Sequence, residues 1–256
     1  MRDGIQVRDG IQRSWQTFLE RLTEHPECWG APTRLAGWAV SDLAAHACWG
    51  TSLEADAVER ALRGDSEAAQ GRSPEPGASR DEVLDALRRS CGRLVAALDA
   101  LEERAAADPR AVPESLPMPY GDVSVPLAGA IFTMEAGVHG SDLAAAVGDD
   151  DTLAPDVCRA TFATLAVFGP VLSDAAGTVP PPGVVIEVRG GGDCLRFGAD
   201  DQGRWTSAAT SPVRTTITGS PSDVALFLLG RRGVDAVTVH GDGAPAARFK
   251  EYLPGP

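Results

Sequence analysis

One predicted helix constrains this chain more than any other stretch of its sequence. Residues 127–148 read LAGAIFTMEAGVHGSDLAAAVG, and apolar side chains recur along them at helical spacing. Val125 and Pro126 open the helix, because proline is tolerated at the first helical position, and Gly148 followed by aspartates ends it. The chain is therefore organised around one long amphipathic helix.

Three polar side chains form a stripe along this helix. Glu135 and His139 are four residues apart and therefore neighbours, and Asp142 returns to nearly the azimuth of Glu135 after two turns. Because ionisable groups that face a helix bundle must be satisfied, the stripe needs partner side chains or a metal ion. A solvated Glu–His pair on the protein surface is the alternative interpretation.

The composition indicates a protein with a hydrophobic core and no membrane-spanning segment. Hydrophobic residues make up 43% of the 256 residues, and this length accommodates two ordinary domains. No uninterrupted apolar run approaches the roughly 20 residues that cross a bilayer, and the N-terminal MRDGIQVRDGIQ lacks the apolar segment of a signal peptide. We therefore expect a cytoplasmic protein with no membrane partner.

Charge argues against a nucleic-acid-binding protein, and cysteine spacing argues against a CxxC metal knuckle or redox pair. The net charge is −13 and the basic residues are not clustered, so no nucleic acid is expected as a partner. The five cysteines are odd in number and scattered without CxxC spacing, which indicates reduced and mostly structural thiols. Lys250 is the single lysine among 23 basic residues, a bias that suits a high-GC, actinobacterial coding sequence.

Apolar periodicity predicts three helices before the central one. They cover residues 11–25, most of residues 35–62, and residues 79–107, where Ser79 begins a capping box. The polar connection at 64–79 is too long for a tight hairpin, and a second Pro-rich crossing spans 108–123. Four helices with long connections predict a four-helix bundle that is not simply up-down-up-down.

The second half of the chain has a different pattern. A helix is predicted over 154–175, with a kink or break at Gly169-Pro170. Short strands joined by Gly and Asp turns follow, with one helix at 220–229 among them and another at 244–252 after them. We therefore predict an α + (α+β) fold, in which the smaller C-terminal domain carries a mainly antiparallel sheet.

A third ionisable residue joins the stripe as a candidate ligand. His46 lies inside the second predicted helix among alanines, whose small side chains permit close approach of another helix or a ligand. It is either a buried core histidine with a hydrogen-bond partner or a metal ligand. Together, His46, Glu135 and His139 have the composition of a catalytic divalent-metal site that leaves a fourth position open.

These segments resemble a known family. GWAVSDLAAHACWG resembles the GW-x-x-x-x-L-x-x-H segment of DinB-like bundles, and MEAGVHGSDLAAAVG resembles their E-x-x-x-H-x-x-D-L helix. ITGSPSDVALFLLGRRGVDAVTVHGD is similar to the sterol-carrier-like C-terminal domain of mycothiol-dependent maleylpyruvate isomerases. The resemblance covers nearly the whole chain and implies a DinB-like metal-binding bundle over 1–150 and a sterol-carrier-like α+β domain over 151–256.

The resemblance also implies site residues and cofactors. The metal triad of the family falls on His46, Glu135 and His139, and its active-site arginine falls on Arg231. Zinc is the expected metal and mycothiol the expected cosubstrate. The chain departs from the family at Ser141, where relatives carry a bulky aromatic residue, and at Ala39, which replaces a capping hydroxyl.

The expected chemistry is attack of an activated thiol on a small electrophile. The thiolate is the nucleophile, and either it leaves after bond rotation, which is isomerisation, or it stays attached, which is S-transfer. Arg231 either binds a substrate carboxylate across an interdomain cleft or neutralises a helix C-terminus. Asp142 either orients a ligating imidazole or is a surface charge.

A non-catalytic function remains as the alternative. In that interpretation the protein is a regulatory or binding module, its metal is structural, and its second domain carries a hydrophobic ligand. A structural site is closed by a fourth protein ligand, whereas a catalytic site keeps an open position. We expect a monomer or homodimer in either case.

Overall fold

The chain forms two units, Met1–Asp151 and Thr152–Pro256. The structure is a computed structural model that describes the backbone of residues 2–254 and the side chains of residues 7–254. Within this part of the chain, no helix is both long and apolar enough to cross a membrane. The fold is the predicted one, a helical N-terminal part followed by a smaller α+β part.

Four long helices build the first unit. Helix α1 contacts α3 and α4, and α2 also contacts α3 and α4, which is the arrangement of a four-helix bundle. Helix α1 begins well before the predicted Ile11, whereas the other three agree with the periodicity. The helices are α1 (Arg2–Glu24), α2 (Val40–Arg63), α3 (Arg80–Ala107) and α4 (Val125–Val147).

Local sequence sets the ends of these helices. Pro126 lies in the first turn of α4, and Gly148 ends the helix with φ of 83°, a conformation that glycine adopts without strain. Ser79 and Glu82 form the predicted capping box of α3. At the start of α2, the Ala39 N–H donates to the Asp42 carboxylate at 2.8 Å, so half of a capping box remains there as predicted.

A short hairpin replaces part of the connection predicted at 108–123. Strands β1 (Ser115–Met118) and β2 (Gly121–Ser124) pair antiparallel, and Gly121 takes φ of 115° at the turn. The Ala69 N–H donates to the Pro117 carbonyl at 2.7 Å, so the long 64–79 connection is tied to the outer side of β1. Alternating apolar residues here are too few for a clear strand signal, which explains why the sequence pattern missed the hairpin.

Helix α5 (Pro155–Ala175) opens the second unit and contains Pro170 in its interior. The sequence predicted a kink or a break at Gly169-Pro170, and the helix continues through the proline without a break. Proline has no N–H to donate to the carbonyl four residues earlier, which is that of Ala166. The Ser207 hydroxyl donates to this carbonyl at 2.6 Å and supplies the missing hydrogen bond.

A five-stranded sheet forms the centre of the second unit. Its spatial order is β5-β4-β3-β6-β7, and only the β3–β6 pair is parallel, as expected for a mainly antiparallel sheet. Helix α5 and helix α6 (Pro221–Leu228) both pack on this sheet. The strands are β3 (Ile186–Gly190), β4 (Asp193–Ala199), β5 (Trp205–Thr206), β6 (Thr215–Gly219) and β7 (Thr238–Gly241).

Two short helices, α7 (Gly243–Ala247) and α8 (Phe249–Tyr252), replace the single helix predicted at the end of the chain. Lys250 on α8 donates to the Leu228 carbonyl at 3.3 Å. Burial of its ammonium group, together with the nearby charge of Arg231, lowers the pKa of Lys250 from 10.5 to about 8. The single lysine of the chain is therefore a partly buried cation next to another cation.

We predict that Lys250 makes stability depend on pH between 8 and 10.5. In this window the unfolded chain binds the lysine proton while the folded chain does not, so the contribution of Lys250 to the free energy of unfolding rises with pH. A pKa change of this size corresponds to about 3 kcal/mol at most. The Lys250→Met variant, compared with wild type by urea unfolding at several pH values, should lose this rise; a constant difference between the two proteins would contradict the assignment.

Candidate metal centre

Three predicted ligands converge inside the first unit. His46 projects from α2, and Glu135 and His139 project from the neighbouring α4. One ligand atom from each lies within 4.8 Å of the other two. The His139 Nε2 lies 3.1 Å from the Glu135 carboxylate, and the His46 and His139 rings are 5.0 Å apart between centroids. The structure thus brings together three residues from two parts of the sequence.

Asp142 contacts the His139 ring at Nδ1, the ring nitrogen that does not face Glu135. Its carboxylate lies 3.3 Å from His139 Nδ1 and is fully buried, so the interpretation of Asp142 as a surface charge is wrong. His139 itself is 7% exposed, which also rules out a solvated Glu–His pair. Burial alone would lower the pKa of His139, but the Asp142 and Glu135 carboxylates outweigh that effect and raise it to about 9.

Arg34 completes this arrangement and was missed by the sequence analysis. Its guanidinium donates to the Asp142 carboxylate at 2.7 Å, to Asp151 at 2.7 Å and to the Ser141 hydroxyl at 2.6 Å. Ser141 donates in turn to the Asp151 main-chain carbonyl. The small side chain at 141 thus has a structural role, because it is a hydrogen-bond partner of the arginine that neutralises buried Asp142. Nothing in the local sequence pattern links Arg34 to residues more than a hundred positions away.

Aromatic side chains flank the other histidine. The Trp38 ring lies 5.0 Å from the His46 ring and the Trp49 ring lies 5.7 Å from it. Trp49 remains 38% exposed. Gly71 of the 64–79 connection lies so close to the Trp49 indole that a Cβ at this position would overlap it. The connection therefore covers part of one wall beside His46.

Glu54 is a second residue that the sequence analysis missed. It lies on α2, eight residues after His46, and is 3% exposed. Within the described part of the chain its Oε2 has no hydrogen-bond partner. Burial, together with the nearby Glu135 carboxylate, raises the pKa of Glu54 well above its usual value. A buried carboxyl group with a raised pKa therefore lies near the candidate ligands. Its sequence neighbours, which include Ser52 and Asp56, carry no pattern that singles it out.

The donor set fits a divalent cation. Metal–ligand distances of about 2.0–2.1 Å in a tetrahedron separate the ligand atoms by about 3.3 Å, close to the spacing of His139 Nε2 and the Glu135 oxygen. A ligating histidine usually donates its other ring N–H to a carboxylate, and Asp142 is placed to accept such a bond from Nδ1. His139 would then present its Nε2 lone pair beside Glu135.

Arg231 belongs to the second unit, just after α6. Its main-chain N–H donates to the Leu226 carbonyl at 2.8 Å, and its Nη1 donates to the Leu229 carbonyl at 2.8 Å. Gly230, with φ of 73°, makes the turn that precedes it. These contacts agree with the helix-end interpretation and leave its substrate role as a prediction.

Two solved structures have the same fold. One is the crystal structure of a histidine-to-alanine mutant of a mycothiol-dependent maleylpyruvate isomerase, with 18% identity, a TM-score of 0.66, and coverage of 93% of this chain and 94% of that one. The other is the crystal structure of the mycothiol-dependent maleylpyruvate isomerase itself, with 19% identity, a TM-score of 0.61 and the same coverage.

The sequence comparisons give one family. No curated protein matches the chain. Residues 9–144, more than half of the chain, match the family described as the mycothiol maleylpyruvate isomerase N-terminal domain. This range includes all three candidate ligands as well as Asp142 and Arg34, and the family resemblance inferred from the sequence motifs is confirmed. The chain belongs to the mycothiol maleylpyruvate isomerase family.

Proposed function

We propose that the protein is a metalloenzyme that uses mycothiol as a cosubstrate to attack a small electrophile. The observation that carries the proposal is the group of His46, Glu135 and His139, supported from behind by the buried Asp142. Membership of the family supports mycothiol as the thiol. Zinc as the metal, a carboxylate on the electrophile, a cytoplasmic location and a monomer or homodimer are further parts of this proposal.

The number of ligands supports a catalytic rather than a structural metal. Among the described residues, the candidate group contains three ligands. Structural zinc sites are closed by four protein ligands, whereas catalytic sites have three and keep a position for water or substrate. The alternative of a non-catalytic module with a structural metal is therefore the weaker one.

The three buried cysteines of the chain are poor candidates for the nucleophile, which favours an external thiol. Cys48, Cys91 and Cys158 are buried. Burial raises the pKa of Cys48 to about 12 and of Cys158 to about 11, and also raises that of Cys91. These thiols stay protonated near neutral pH, and only thiolates are effective nucleophiles. A thiol supplied from outside the chain is not buried in this way, so its pKa is not raised by the protein core.

The residues of the chain prepare the site for that thiol. Asp142 accepts a hydrogen bond from His139 Nδ1–H and so favours the tautomer whose Nε2 lone pair faces Glu135. Arg34 donates to the Asp142 carboxylate at 2.7 Å and so orients it toward His139. A divalent cation bound by the three ligands supplies the positive charge that favours the deprotonated form of an incoming thiol.

Two outcomes are open after the thiolate has added to the electrophile. Addition forms a C–S bond and converts a carbon–carbon double bond into a single bond, about which the adduct rotates. If the C–S bond then breaks, the double bond returns in the other geometry and the thiol is regenerated, which is isomerisation. If the carbanion is protonated instead, the thiol stays attached, which is conjugation.

We predict that the purified protein binds about one divalent ion and that His46→Ala and His139→Ala each lose it, retaining less than about a tenth of an equivalent. Metal content measured by inductively coupled plasma mass spectrometry checks this prediction. His25→Ala is the matched control, since His25 is a surface histidine paired with Glu27. Circular dichroism should show that the second unit stays folded. Full metal retention in the double variant would contradict the ligand assignment.

A second prediction tests thiol activation. In the cobalt-substituted protein, mycothiol should produce an intense sulfur-to-metal charge-transfer band in the near ultraviolet, which oxygen ligands do not give. The informative quantity is the increment on adding thiol, repeated in Cys48→Ser because Cys48 lies two residues from His46. Turnover with saturating mycothiol but without a new band would show that the metal polarises the substrate instead.

A third prediction concerns Arg231. If it binds a substrate carboxylate, Arg231→Lys should reduce kcat/KM about tenfold or more, because an ammonium group cannot reproduce the planar two-point contact. Metal content should not change. Steady-state kinetics on an identified electrophile measure the effect. Equal kinetics for wild type, Arg231→Lys and Arg231→Ala would assign the residue to the helix end alone.

A further inference from the structure

A second pocket in the first unit has a different chemistry from the candidate metal centre. It has a volume of about 310 Å³ and lies where α2, α3 and the 64–79 connection meet. Three arginines and three serines line it: Arg72, Arg89, Arg93, Ser52, Ser73 and Ser90. We call it the arginine pocket.

Among the residues whose side chains are described, no carboxylate lines this pocket, although the chain has 36 acidic residues and only 23 basic ones. Arg93 is neutralised on its own side, because it donates to Glu59 at 2.6 and 2.7 Å and to Asp56 at 3.2 Å. Among residues 7–254, no carboxylate pairs with the guanidinium of Arg72 or of Arg89. Two positive charges therefore face one pocket in a strongly acidic protein.

The position of Arg72 is fixed by its main chain. Its N–H donates to the Ser52 hydroxyl at 2.5 Å, and its carbonyl accepts from the same hydroxyl at 3.3 Å. Gly71, the preceding residue, is packed against the Trp49 indole. The connection thus holds the Arg72 main chain against α2, while Arg89 lines the same pocket from α3.

The floor of the pocket is polar but neutral. Cys48 donates to the Val83 carbonyl, and Ser90 donates to the Leu87 carbonyl and contacts the Thr51 hydroxyl at 2.7 Å. These groups form hydrogen bonds within the protein, and they are uncharged. They therefore do not neutralise the arginines. The Arg72 and Arg89 side chains are both exposed and have no carboxylate partner among the described residues, so they are available to an anion from outside the chain.

We infer that the arginine pocket binds a small oxyanion, the phosphate or carboxylate group of a metabolite, at a site separate from the candidate metal centre. Guanidinium groups form charge-assisted hydrogen bonds with both kinds of oxyanion. The volume suits a small molecule rather than a macromolecule.

Isothermal titration calorimetry of the full-length protein with inorganic phosphate and, separately, with succinate tests this inference at constant ionic strength. We expect saturable one-site binding of at least one anion, and the tighter of the two identifies the oxyanion class. Arg72→Gln and Arg89→Gln should each weaken binding about tenfold, the value of one charge-assisted hydrogen bond. Binding should persist in His46→Ala, whose metal centre is altered.

Arg88→Gln is the matched control. Arg88 is the neighbour of Arg89 on α3, is also exposed, and already pairs with Asp85 at 3.0 Å. Arg88→Gln changes the net charge by the same amount as Arg89→Gln, but its affinity for the anion should stay within about twofold of that of the wild type. Equal weakening in Arg88→Gln and Arg89→Gln, loss of binding in His46→Ala, or no saturable binding of either anion by the wild type would overturn the inference.

Discussion

The geometry of the first unit depends on one buried carboxylate. Asp142 has no exposure to solvent, and such a charge is costly unless it is paired and hydrogen-bonded. Arg34 supplies the pairing and His139 the second contact, so the same carboxylate joins the loop before α2 to the candidate ligands on α4. Removing Arg34 would leave the buried Asp142 without this cationic partner, because the Arg34 guanidinium donates directly to its carboxylate.

The sequence predicted those parts of the fold and the site that depend on local spacing. Helix α4 has a proline at its start, a glycine at its end and an i,i+4 ligand pair between, all of which follow from periodicity. The approach of His46 to that pair was an expectation from composition and family resemblance. Arg34, Glu54 and the 115–124 hairpin were not predictable, because their places are fixed by contacts between distant segments rather than by their neighbours in sequence.

In the first unit, most described arginines lie beside one of the many carboxylates of this acidic chain. Most arginines there pair with a nearby carboxylate, as Arg60 does with Asp56 and Arg8 with Asp99, so that side chains of opposite charge join separate helix turns or separate helices. Such surface pairs each contribute little to stability. Their effect is to neutralise positive charge locally, and the arginine pocket differs in that two of its arginines, Arg72 and Arg89, lack such a partner among the described residues.

The hydrogen bond from Ser207 to the Ala166 carbonyl of α5 affects which substitutions this chain can accept during evolution. A proline at position 170 leaves the Ala166 carbonyl without its helical donor, and the Ser207 hydroxyl, 37 residues later in the sequence, replaces that donor. Loss of the Ser207 hydroxyl lowers the free energy of unfolding while Pro170 is present, because the Ala166 carbonyl is then left without a donor. The same loss is nearly neutral when residue 170 is not proline. The two positions are therefore epistatic, and an evolutionary path can acquire the proline easily only after the serine is in place.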